Sequence, residues 1–85
     1  MDYQKFIQQL PTNYQNWGNN SLQPKSDQWP KTLTPKPNIN TLNLMELLNS
    51  AVEHTELDEI YCEIGTTQGL TLIGALFEHT EKMAY

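Results

Sequence analysis

Glu63, Gly65 and Gly69 are the residues whose types and spacing suit chemistry on a small ligand. They stand in the stretch Ile60-Tyr61-Cys62-Glu63-Ile64-Gly65-Thr66-Thr67-Gln68-Gly69, which reads as an apolar run, a carboxylate and a tight glycine loop. A strand that ends in such a loop and feeds a helix presents free backbone N–H groups and the positive end of the helix dipole. They lie at the carboxyl edge of the sheet, where open α/β sheets bind ligands. Gly65 lets the backbone turn sharply, and Gly69 removes a side chain where a ligand or the strand must come close. A carboxylate at this edge opposes a phosphate but suits a ligand that carries an ammonium group.

That sign discriminates among the glycine-loop classes. A P-loop needs G-x-x-x-x-G-K-[ST], whereas here the spacing is one residue shorter and Leu70 stands in place of the lysine. The dinucleotide fingerprint G-x-G-x-x-G needs a middle glycine so that the pyrophosphate can approach the backbone, and Thr67 occupies that place. Two plainer readings stand beside the ligand reading: Gly65 and Gly69 as a purely structural turn, and Glu63 as a helix cap or a solvated side chain.

Other chemistry-bearing residues read as structural. Cys62, without a neighbouring His, Lys or second Cys, reads as a small core residue. His54 and His79 each fall near the end of an expected helix, where an imidazolium complements the dipole, and they lack the companions of a metal site. Glu53, Glu56, Asp58 and Glu59 read as a solvated edge.

Around these residues the sequence places its elements. Tyr3, Phe6, Ile7 and Leu10 predict a short amphipathic helix over 2–10, stopped by Pro11. Residues 11–40 are rich in Asn, Gln, Ser, Thr and Pro and predict an irregular arm. Trp17 and Trp29 either tack this arm onto the following domain or help to cover a cleft. Asn40 or Thr41 is the expected cap of a helix that runs to about His54, with an apolar face of Leu44, Leu47, Leu48, Ala51 and Val52. Glu59 to Ile64 predicts a parallel strand covered on both faces. A helix from Leu70 to about His79 and a second strand beginning at Met83-Ala84-Tyr85 complete the order.

The composition excludes several functions. Ten acids against five lysines give a net charge of −5, which disfavours nucleic acid, whose phosphates are held by clustered Lys and Arg. Residues 1–40 hold Asp2 and Asp27 against Lys5, Lys25, Lys31 and Lys36, a balance of +2; residues 41–85 hold eight acids against Lys82, a balance of −7. The apolar run from Leu70 to Phe77 is far short of the roughly 20 residues that span a bilayer. A lone Cys62 and a start unlike a signal peptide make a cytoplasmic location the expectation.

Cys62-Glu63-Ile64-Gly65-Thr66-Thr67-Gln68-Gly69-Leu70-Thr71 resembles motif I of class I S-adenosylmethionine-dependent methyltransferases, in the Glu-Ile-Gly-x-x-x-Gly variant of small-molecule O-methyltransferases. The resemblance covers residues 41–85. It implies an α/β fold: the opening αβαβ segment of a Rossmann-like methyltransferase domain, with an incomplete sheet, truncated after motif I and preceded by the arm of residues 1–40. It also implies that Glu63 contacts the methionine ammonium, that Gly65, Thr66, Thr67, Gln68 and Gly69 line the methionine half of S-adenosylmethionine, and that Thr71 sits at the helix start. The acidic residue that holds the cofactor's ribose in this family has no counterpart before Tyr85. Weak or absent cofactor binding is therefore expected of these 85 residues alone, the methyl acceptor is expected to be a small molecule, and no catalytic side chain is assigned. The rival expectations are a non-catalytic chain that docks on a partner or on itself through an exposed sheet edge, and a different Rossmann-type binder of NAD or a nucleotide.

Overall fold

The computed structural model describes residues 1–26, 28–29, 31, 33, 36–63, 69–79 and 83–84. Among them the chain is a small α/β protein with three α-helices and two two-stranded sheets.

Helix α1 (Tyr3–Gln9) begins where the Asp2 carboxylate accepts the Lys5 N–H at 3.1 Å. Pro11 does not merely end it, because the chain tightens into a 3₁₀ turn over Leu10–Asn13. Only one side of α1 is held down. Phe6 faces the His54 ring and the Asp2 N–H donates to the His54 carbonyl, while Tyr3 and Ile7 of the expected apolar face remain exposed.

The arm carries more order than its composition suggests. Strands β1 (Tyr14–Gln15) and β2 (Gln23–Pro24) pair antiparallel, Tyr14 opposite Pro24 and Gln15 opposite Gln23. The polar residues that made this segment look irregular supply its fastenings. The Tyr14 hydroxyl donates to the Asn43 carbonyl at 2.7 Å, the Asn43 amide donates to the Leu22 carbonyl at 3.0 Å, and the Asn13 amide donates to the Ser50 hydroxyl at 3.1 Å. Trp29 is buried against Phe77 with ring centroids 5.3 Å apart, whereas Trp17 stays exposed beside Tyr14.

Helix α2 (Ile39–Glu53) starts slightly earlier than expected, because Asn38, rather than Asn40 or Thr41, caps it by accepting the Thr41 N–H at 2.8 Å. Its inward stripe also differs from the expected face. Met45 and Val52 are buried, and Leu44 and Leu47 are exposed. The reason is the partner. Helix α3 (Leu70–Leu76) presents Gly74 and Ala75, which are small enough for α2 to approach along the Met45 side. Asn49 completes the contact: its amide donates to the carbonyls of Gly74 at 2.9 Å and Phe77 at 3.0 Å, satisfying acceptors that the end of a two-turn helix leaves open.

Strand β3 (Ile60–Tyr61) pairs with β4 (Met83–Ala84) in parallel, Ile60 opposite Met83 and Tyr61 opposite Ala84. With α3 between them, these strands form a β-α-β unit. The expectation of a strand covered on both faces is corrected, since Ile60 is 43% exposed. So is the placement of Cys62 in the core, because its thiol is exposed. Both follow from geometry. α3 packs on α2, and Ile60 and Cys62, two apart along the strand direction, are left exposed together.

Candidate functional site

Side chains two apart on a strand share a face, and this brings Tyr61 and Glu63 together just past β3. The Tyr61 hydroxyl donates to Glu63 Oε1, and the Thr71 hydroxyl, one residue into α3, donates to Glu63 Oε2 at 2.5 Å. The carboxylate is thus fixed from the strand and from the helix at once. A carboxylate accepts up to about four hydrogen bonds, so two hydroxyls orient Glu63 and leave it capacity for a further donor. Burial pushes the Tyr61 phenol up from its ordinary value, and the Glu63 hydrogen bond and charge push it further, so Tyr61 remains a donor at neutral pH.

Gly69 is the N-cap of α3 and has a φ of +79°, a left-handed conformation in which a side chain would be strained. Its carbonyl accepts the Ile73 N–H at 2.8 Å. Gly65, Thr66, Thr67 and Gln68 lie outside the described residues. Of the sequence-derived candidates, the structure therefore brings Glu63 and Thr71 into contact and places Gly69 at the head of the same helix. Tyr61, read in the sequence only as a strand residue, joins them, and its i, i+2 spacing from Glu63 was the available signal.

The remaining candidates separate. The His54 Nδ1–H donates to the Ser50 carbonyl at 2.8 Å, and the His79 Nε2–H donates to the Asn49 carbonyl at 3.3 Å. Glu59 accepts from the N-terminal ammonium of Met1 and from the Glu56 N–H. Among the described residues no group of three or more His, Cys, Asp or Glu is placed to hold a metal ion, and no helix is long and apolar enough to cross a membrane.

Sequence reasoning passed over one buried carboxylate. Glu46 is 7% exposed on α2, and it borders a cavity of about 270 Å³ with Asn13, Gln28, Asn49, Glu53 and His79. Its Oε2 accepts the Gln28 amide at 3.3 Å. Burial pushes the Glu46 carboxyl up from its ordinary value, the Gln28 bond opposes this, and the Glu53 charge adds to it. Burial likewise pushes the Tyr14 phenol up to about 12, with the Glu46 charge adding to the effect. A carboxyl raised on folding gives its full stability below the ordinary value of 4.5, and that stability is lost as the pH rises through the raised value. Glu46→Gln is therefore expected to stabilise the protein at pH 7 by about 1 kcal/mol. Thermal melts should show a Tm increase of roughly 4–8 °C at pH 7, shrinking below pH 4.5. An equal gain at both pH values would show that charge burial is not the cause.

No family model matches this chain, and no curated protein or solved structure matches it either.

Proposed function

We propose that the β3-α3-β4 unit is the cofactor-binding opening of a class I S-adenosylmethionine-dependent methyltransferase, Rossmann-like in fold, in which Glu63 faces the methionine ammonium. The observation that carries this reading is the Glu63 carboxylate, fixed by the Tyr61 and Thr71 hydroxyls at the carboxyl end of a strand that pairs in parallel. Such a group suits a cation and repels a phosphate. Gly65, Thr66, Thr67, Gln68 and Gly69 line the methionine half of the ligand. Bound S-adenosylmethionine supplies an electrophilic methyl group. The chain's own part is to orient the ligand for in-line transfer to a small-molecule acceptor, which is work of positioning rather than of acid or base catalysis. The protein acts in the cytoplasm.

Binding by these residues alone is weak, since one contact segment holds one end of the ligand. Glu63→Gln keeps the side chain's shape and removes its charge. A charge-assisted hydrogen bond contributes roughly 1.5–3 kcal/mol, so the variant should bind S-adenosylmethionine at least about tenfold more weakly in an NMR titration. Equal affinity in the variant would remove Glu63 from the site.

A second reading, non-catalytic docking on another copy of the chain, is favoured by one observation. Leu44, Leu47 and Trp17 are exposed and border a groove of about 250 Å³ that Leu10, Tyr14 and Leu22 also line. Sedimentation velocity distinguishes the two readings. Association that rises with concentration and is abolished by Leu47→Glu supports docking; a monomer at every concentration argues against it.

A further inference from the structure

Donors and acceptors are unequally spent around the cavity beside Glu46. Its side-chain nitrogens work within the fold: the Asn49 amide donates to the carbonyls of Gly74 and Phe77, the Asn13 amide to the Ser50 hydroxyl, the Gln28 amide to Glu46 Oε2, and the His79 Nε2–H to the Asn49 carbonyl. Acceptors are left over. Glu46 is 7% exposed, and its one hydrogen bond among the described residues is the long one from Gln28 at 3.3 Å; Oε1 accepts from none of them and keeps accessible surface. A single neutral hydrogen bond offsets little of the cost of burying a carboxylate charge. Helix α2 sets Asn49, Ser50 and Glu53 three, four and seven residues beyond Glu46, on the same face and around the same cavity. The Asn49 side-chain oxygen and the Glu53 carboxylate also accept from no described residue.

We propose that this cavity binds a small primary ammonium ion with a short apolar body. The ammonium brings N–H donors and a positive charge to Glu46 Oε1, with Asn49 and Glu53 accepting beside it, and the apolar body packs on Phe77. Volume limits the ligand, because the cavity of about 270 Å³ falls below sites for drug-sized molecules, which run from about 300 to 1,000 Å³. The site shares no residue with Tyr61, Glu63 and Thr71, so it stands or falls apart from the cofactor reading.

The side-chain amides of Asn13, Gln28 and Asn49 report occupancy, since all three border the cavity. Butylammonium chloride is titrated into the full chain in ¹H–¹⁵N spectra at pH 7 and fixed ionic strength, with 1-butanol and tetramethylammonium as contrasting probes. Shifts of these amides that saturate in the millimolar range are expected with butylammonium. Butanol lacks the charge and tetramethylammonium lacks the N–H donors, so both should leave the amides in place. Glu46→Gln keeps the side chain's shape and is expected to raise stability at pH 7, so lost binding in this variant is not lost folding; its affinity should fall at least about tenfold. Glu63→Gln should bind butylammonium as the parent does. Amides that do not move with butylammonium overturn the proposal. So does an equal response to butanol or tetramethylammonium, unchanged affinity in Glu46→Gln, or weakened binding in Glu63→Gln.

Discussion

Gly74→Ala should lower the stability of the fold by about 2 kcal/mol, despite placing a better helix former inside α3. Two effects oppose one another. Alanine in a helix interior is favoured over glycine by about 1 kcal/mol, while forcing an extra methyl group into a packed contact costs roughly 1–3 kcal/mol and occasionally more. The geometry decides between them. A Cβ on Gly74 would lie 2.6 Å from both Cβ and Cγ of Met45 and 3.1 Å from its Cα. Cα and Cβ are fixed by the backbone of α2, so no rotamer change clears them and the two helices must separate. A stability of this size is a large fraction of the whole, since domains retain only about 0.05–0.15 kcal/mol per residue. Urea denaturation should show a lower midpoint for the variant. A higher midpoint would mean that propensity wins and that α2 and α3 do not meet at this point.

Met45→Ala should cost still more, about 2–5 kcal/mol. Met45 is fully buried at the same crossing, with 0% of its surface exposed. Truncation loses the transfer free energy of its thioether arm and leaves a void between two helices that Asn49 ties together. An 85-residue chain has few other large side chains to compensate, because Met45 and Val52 are its largest fully buried ones among the described residues. The two variants are coupled, since alanine retains the Cβ that Gly74 accommodates, so their effects should not add. The checking measurement is again the urea midpoint, together with loss of near-ultraviolet circular dichroism from Trp29, which packs on Phe77 just beyond α3. A stability within about 0.5 kcal/mol of the parent, the usual range for surface changes, would place Met45 outside the core.

The order of helix, strand, helix and strand over 39–84 was legible because period and punctuation are local properties. The start of α3 at Leu70 behind Gly69 is where the sequence put it, whereas Asn38 caps α2 two or three residues before the expected Asn40 or Thr41 and α3 ends at Leu76 rather than near His79. Which side of each element is buried was less legible, because that depends on partners. The leucines of α2 suggested an apolar face through Leu44 and Leu47, yet Gly74 draws the helix in along Met45, and a glycine's value as a contact surface appears only once two helices are paired. Cys62 followed the same rule. Its apolar neighbours pointed to the core, but whether a strand is covered depends on what packs on it. How the arm is fastened was hidden for another reason. Asn13, Tyr14 and Asn43 form hydrogen bonds across long stretches of sequence, and polar residues of this kind look like loop when considered locally. At the candidate site, Glu63 and Gly69 stood out by type and spacing. The hydroxyls that fix Glu63 did not, because Thr71 stands eight residues away in the sequence and meets it only in the folded chain.

The role proposed for Glu63, as the anchor for a cationic, methionine-bearing ligand, is tested most directly by mapping ¹H–¹⁵N resonance shifts of the chain on addition of S-adenosylmethionine, with ATP as the contrasting ligand. The expected result is a weak, saturable response centred on Tyr61, Glu63, Thr71 and the Gly65–Gly69 loop, absent with ATP and lost in Glu63→Gln. A response centred away from this region, or the same response to ATP, would contradict it.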